Sequence, residues 1–377
     1  FGELFRLTTF GESHGAAVGA IVDGCPSSIE LTEADIQREL DRRKPGQSAV
    51  TTARAEDDRV KILSGVFEGK TLGSPIAMIV ENKEMRSADY ENIKDVYRPG
   101  HADYAWDVKF GFRDYRGGGR SSGRETIGRV MGGAIAKKVL TEWAPSVGFC
   151  HAPVRIFAYA QQIGSIVATV TELDFIEKNT IRTADPNVAA EMEALILKAK
   201  EEGDSVGGVV EILVRGMPAG LGEPVFDKIN ADLARALFSI PTVKAVEFGA
   251  GKSAATMKGS EHNKVQGVGK SSHTDGGMDG RSETRAGVDS NGAGGGGGIS
   301  GGISTGEDLI IRVTVKPPSS IAQRQETVDT KGQKAELEIR GRHDPCIIPR
   351  FIPVAESMVA LTLADHLLRY RAIKSSR

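Results

Sequence analysis

The chain has 377 residues, enough for one large domain or two ordinary ones and for a substantial core. Its 48 basic and 50 acidic residues nearly cancel, so no global field draws it to nucleic acid or to a membrane surface. Three cysteines, Cys25, Cys150 and Cys346, lie too far apart for a disulfide framework or a zinc site and fit a reducing compartment. The first residues lack a signal-peptide pattern and no apolar run reads as long enough to span a bilayer, so a cytosolic protein is expected.

Strand-like pieces from Phe5 to Val22 flank the turn Gly11-Glu12-Ser13-His14-Gly15, which presents Ser13 and His14. Thr32 is the N-cap of a helix carrying Ile36 and Leu40 that runs into Asp41-Arg42-Arg43-Lys44-Pro45-Gly46. Leu72 to Val80 reads as a strand with Ile76, Met78 and Val80 on one face. The stretch from Tyr97 to Thr126 organises the chain. It holds Arg98-Pro99-Gly100-His101-Ala102-Asp103-Tyr104 and then Gly117-Gly118-Gly119-Arg120-Ser121-Ser122-Gly123-Arg124-Glu125-Thr126. Ser122 and Glu125 have capping-box spacing, and Ile127, Val130, Met131, Ala134, Ile135 and Val139 form a helical apolar stripe behind them. Glycines and arginines at a helix N-terminus suit an anion. The same residues also suit an ordinary Gly-rich turn before a capped helix.

Further on, Val154 to Val170 reads as strands, and Asp185-Pro186 opens a helix with Met192, Leu195, Ile196 and Ala199 on one face, stopped by Gly203. Gly207 to Val214 is a buried strand, and Asp227 caps a helix through Leu233 and Leu237. The interval 264–298 is glycine-rich and without apolar periodicity, which predicts a mobile insertion or lid. Leu309 to Val315 is a strand leading to Lys316-Pro317-Pro318-Ser319-Ser320, and Leu337 to Ile339 a short strand ending in Gly341-Arg342-His343-Asp344-Pro345-Cys346. Pro353 sits at the start of a last helix. With no linker and no fixed-period repeat, a single α+β domain over residues 1–377 is expected. The chemical inventory is two candidate proton donors, one carboxylate base and many arginines, without a metal cluster or phosphate loop. That fits lyase or transferase chemistry on a phosphorylated anion and leaves the substrate open.

Taken in order, the Gly11–Gly15, Arg98–Tyr104, Gly117–Thr126, Gly301-Gly302-Ile303-Ser304, Lys316–Ser320 and Gly341–Cys346 motifs resemble the chorismate synthase family across nearly the whole chain. The resemblance implies a β-α-β layered sandwich with helices between antiparallel sheets and a homotetramer. It implies elimination of phosphate from 5-enolpyruvylshikimate 3-phosphate with reduced FMN (FMNH2), redox-neutral overall. By the same resemblance His14 protonates the leaving phosphate, His101 serves the flavin, and Asp344 helps to remove the ring hydrogen. Ser13, Arg43, Arg54, Arg98 and Arg124 match substrate or NADPH positions. Arg120, Ser121, Ser122, Pro241, Thr242, Gly301, Lys316, Pro317, Pro318, Ser319, Ser320 and Arg342 match FMN positions. A substrate with two carboxylates and a phosphate calls for arginines, whose planar guanidinium binds such groups bidentately.

The chain departs from the family pattern at Lys44, Ala49, Lys252, Gly292 and Pro318, several of them around the expected flavin lid. NADPH is one reductant for the flavin and an external flavin reductase is another. A flavin reductase and a non-catalytic flavin- or phosphate-binding protein are the rival readings.

Overall fold

Alternating burial builds the first sheet. In the strand Ile76–Glu81, Ile76, Met78 and Val80 point into the core, as the sequence pattern requires. Pairing begins at Ile76 and not at Leu72, because Leu72 sits in an exposed turn with its N–H on the Gly65 carbonyl. The sheet order is Arg6–Phe10, Ala17–Asp23, Ile76–Glu81, Val60–Ile62, with every pair antiparallel. A second antiparallel sheet runs Val243–Phe248, Leu309–Val315, Gly208–Arg215, Arg155–Ile163, Ile166–Val167. The computed structural model describes residues 1–52, 57–83, 90, 93–146, 153–263, 284–286, 295–339 and 343–373.

The described helices are α1 (Glu33–Arg43), α2 (Asp103–Phe110), α3 (Thr126–Trp143), α4 (Ala189–Glu201), α5 (Ile229–Phe238), α6 (Gly259–His262) and α7 (Ile348–Ile373). Helix α3 packs on the first sheet, α7 on the second, and the two pack against each other, with α1 and α5 alongside. The result is an α+β sandwich with helices between two antiparallel sheets, as the family resemblance implies. One apolar core runs from the first sheet through α3 and α7 into the second. At the α3–α7 crossing Gly133 lies so close to Ser357 that an added β-carbon would stand 2.2 Å from the Ser357 Cβ.

Several sequence expectations shift. Helix α7 begins at Ile348, five residues before Pro353, so Pro353 is interior. A proline there leaves the Pro349 carbonyl without its helical donor, and the Arg182 guanidinium donates to that oxygen instead. Contrary to the sequence reading, α7 is long and apolar enough to cross a membrane. Yet 94% of its most apolar window is buried in the fold, because α7 is the core helix between the sheets. Lys228, not Asp227, is the N-cap of α5. Asp185 accepts the N–H groups of Thr169, Val170 and Asn187, which holds it in the loop and delays α4 to Ala189. Most of the expected insertion at 264–298 lies outside the described residues; Thr284–Ala286 pair with Val170–Glu172.

Candidate active site

The Arg98 loop is closed by its own charges. Arg98 Nε and Nη2 donate to the two oxygens of Asp103, the first residue of α2, each at 2.8 Å, and the Arg98 N–H adds a third bond at 3.1 Å. Gly100 turns the chain at φ +68°, and its carbonyl accepts from Ser319 Oγ at 3.1 Å. His101 Nε2 lies 2.8 Å from Ser320 Oγ. Residues more than 200 positions apart thus form one wall, with the Lys316 ammonium bonded to Ser319 Oγ.

The triple-glycine stretch makes the adjoining wall. Gly117, Gly118 and Gly119 all have positive φ and lead through two short 3-10 turns into α3. The expected capping box does not form. Ser122 Oγ accepts the Arg124 N–H at 3.3 Å, while the Glu125 carboxylate is taken by Thr9 Oγ1 and Arg129 Nε, both at 2.7 Å. Arg120 reaches back to the first sheet, donating to the Gly11 carbonyl at 3.0 Å and Thr9 Oγ1 at 2.7 Å. Trp106 of α2 donates its indole N–H to Ser121 Oγ at 2.6 Å.

Together these walls enclose a cavity of about 1270 Å³. Among the described residues, nine Arg or Lys side chains line it against five carboxylates, so its field favours anions. Of the expected substrate residues, Arg43, Arg98 and Arg124 line it. So do His101 and Asp344, and on the flavin side Arg120, Ser121, Ser122, Pro241, Thr242, Lys316, Pro318, Ser319 and Ser320. Ser13 and His14 lie behind the wall formed by Gly117. A β-carbon on Gly117 would stand 2.4 Å from His14 Cε1, and Ser13 Oγ is 3.0 Å from His14 Nδ1. Pro317 packs against Gly207 and does not line the cavity. Gly301 is exposed in the hairpin turn between Ile299–Ser300 and Ile303–Ser304, off this wall. Arg54 and Arg342 lie outside the described residues.

Asp344 is held at both oxygens: Arg350 Nη1 is 2.5 Å from Oδ2, and the Thr52 N–H donates to Oδ1 at 2.9 Å. Asp58 forks between two arginines, with Oδ2 2.8 Å from Arg43 Nη1 and Oδ1 3.1 Å from Arg124 Nη1. Burial and then the Arg350 charge push the Arg43 guanidinium down to about 10, so it stays cationic at neutral pH. His101 is open to the cavity yet crowded by protein. That desolvation, followed by the Arg98 charge, pulls its imidazole down to about 4, and it is neutral at pH 7.

Sequence reasoning passed over Asp58, Arg350, Trp106 and Tyr90. Asp57-Asp58-Arg59 reads as a solvated charge run, and only the fold buries Asp58 under Arg43 and Arg124. Arg350 carries a fainter signal, since it follows Asp344 by six residues at the opening of α7. Tyr90 stands edge-on to His14, ring centroids 5.1 Å apart, and no local pattern marks it.

A family model described as chorismate synthase matches residues 5–368. A chorismate synthase from Roseiflexus castenholzii is 52% identical over 377 residues, covering 100% of this chain and 99% of its own. One from Chloroflexus aggregans is 53% identical over 376 residues, covering 100% and 97%. A solved structure titled as a crystal structure of chorismate synthase superposes with a TM-score of 0.70 at 28% identity, covering 98% of this chain and 93% of that one. Fold, cavity and likeness together define an enzyme of the lyase class. The chain belongs to the chorismate synthase family.

Proposed function

We propose that the chain catalyses the anti-1,4-elimination of phosphate from 5-enolpyruvylshikimate 3-phosphate to give chorismate, the last common step of aromatic amino-acid biosynthesis, with reduced FMN as cofactor. One observation carries this reading: a single cation-rich cavity gathers Arg43, Arg98, His101, Arg124, Lys316 and Asp344 from segments far apart in the chain. An ester with three anionic groups needs such a surplus of positive charge, and 1270 Å³ leaves room for a flavin beside it. The donor set of the Lys316–Ser320 wall, with Ser121 and Thr242, suits a phosphate-bearing cofactor, and Trp106 and Phe112 add aromatic surface for a planar ring. Bound reduced FMN supplies transient electron donation that makes the elimination feasible without net redox change.

The chain's own residues do the rest. The arginines hold the carboxylates and the phosphate. His14, which carries Ser13 at its Nδ1 and is separated from the cavity by the Gly117 backbone, is the acid that the family resemblance assigns to the departing phosphate once that thin wall gives way; a positioned acid of this kind contributes roughly two to four orders of magnitude. His101 Nε2 holds or releases a proton on the cofactor side. Asp344 assists loss of the ring hydrogen, its carboxylate oriented by Arg350 and Thr52. A homotetramer in a reducing cytoplasm completes the proposal, and the scattered cysteines support that setting.

Anaerobic phosphate release tests it. Dithionite-reduced FMN should support release from enolpyruvylshikimate phosphate and oxidised FMN should not. A flavin reductase would instead oxidise NADPH without substrate turnover, and a binding protein would do neither. Absence of phosphate release with reduced FMN ends the reading. Adding NADPH with oxidised FMN shows whether the chain reduces its own flavin or depends on an external reductase.

A further inference from the structure

We propose that Asp58 is a positioning residue that sets the separation and aim of two anion-binding guanidiniums, Arg43 and Arg124, so that the pair grips one anionic group of the substrate. The inference rests on the reaction proposed above. Arg43 ends α1 and Arg124 precedes α3, so the two arginines come from elements with no covalent reason to stay in register. Asp58 ties them together with one oxygen each, and its side chain is only 1% exposed.

The fork is itself rigidly placed. Asp58 has φ +43°, a left-handed conformation that Asp adopts more readily than most side chains. The Gln37 side chain on α1 accepts the Val60 N–H at 3.0 Å and donates to the Asp57 and Asp58 carbonyls at 3.4 and 3.3 Å, which pins the segment to the same helix that carries Arg43. Arg43 is braced further by Nε on Thr126 Oγ1 at 3.1 Å and Nη2 on the Gly123 carbonyl at 3.0 Å. Arg124 Nε donates to Asn82 Oδ1 at 2.7 Å. Both arginines line the cavity, with side chains only 2% and 9% exposed.

A buried ion pair of this kind is a weak source of net stability, because desolvation offsets most of its attraction. Preorganisation is the better use. A ligand anion meeting two guanidiniums already fixed in orientation loses less freedom on binding than one that must gather two mobile chains.

The test uses the full chain with reduced FMN, comparing Asp58→Asn, Arg124→Gln and the double variant. Asp58→Asn should raise KM for enolpyruvylshikimate phosphate at least tenfold with kcat changed less, while the FMN dissociation constant stays within twofold. The double variant should exceed Arg124→Gln alone by less than the factor that Asp58→Asn costs by itself, since only the Arg43 arm of the fork is then left to lose. An unchanged KM, or effects that multiply in the double variant, overturns the proposal. Should Asp58→Asn fail to fold, Arg124→Lys keeps the charge but loses the fork geometry, and it should show the same KM rise; normal KM there also overturns the proposal. If the wild-type chain releases no phosphate, the functional reading fails separately. Calorimetry with inorganic phosphate then decides about Asp58: a loss of affinity in each single variant that is less than additive in the double variant supports the fork, and additive or absent losses refute it.

Discussion

Replacing Glu356 with glutamine removes one buried charge and turns one acceptor oxygen into an amide NH2 group facing donors. Glu356 sits in the middle of α7 at 3% exposure. Its Oε2 is 2.6 Å from Arg42 Nη1 and 2.7 Å from Lys137 Nζ, and Oε1 accepts from Arg42 Nη2 at 3.0 Å and the Ala158 N–H at 3.3 Å. Burial opposes the charge, but Arg42 and Lys137 more than offset it and hold the carboxyl below its ordinary 4.5. Breaking such a buried pair by neutralising one partner costs about 3 kcal/mol. Because the folded value is depressed, the contribution is complete above pH 4.5 and is lost as pH falls through the folded value. Glu356→Gln should therefore lower the urea unfolding free energy by about 3 kcal/mol at pH 7 and by less than about half of that at pH 3. A loss under about 1 kcal/mol at pH 7, or one equally large at both pH values, would refute the argument that these two cations sustain the buried charge.

Gly117→Ala forces a β-carbon to 2.4 Å from His14 Cε1 at a backbone φ of +65°, so it should cut turnover at least tenfold with FMN affinity little changed; normal turnover would detach His14 from the chemistry. Gly133→Ala gains about 1 kcal/mol of helix propensity but meets Ser357 Cβ at 2.2 Å, and the clash should win, lowering Tm. Gly123→Ala, with nothing within 4 Å of the new carbon, should change stability by less than about 0.5 kcal/mol in the same melt. The His101 ring should titrate by NMR near pH 4 in the free protein and move upward when inorganic phosphate occupies the cavity; a free-protein midpoint above 6 contradicts the crowding by protein and by Arg98. Since its folded value lies below the ordinary 6.5, His101 makes folding less favourable as pH falls from 6.5 toward 4.

Local chemistry alone determined much of this protein. Apolar spacing placed α3, the strand through Val80 and α7 from Pro353 onward though not its first turn, and Thr32 and Gly203 marked true helix ends, because capping and periodicity depend only on neighbours in the chain. The short motifs also carried the family likeness, since turns that present arginine, histidine and serine keep their residue types wherever the fold puts them. Long-range partners were a different matter. Glu125 leaves its capping box because Thr9 and Arg129 compete for the carboxylate, and α7 runs through Pro353 because Arg182 meets the freed carbonyl. Asp58 looks solvated in sequence and is buried between two arginines in space. Such assignments turn on which distant groups arrive within hydrogen-bonding reach, and only the packing of helices between the two sheets decides that.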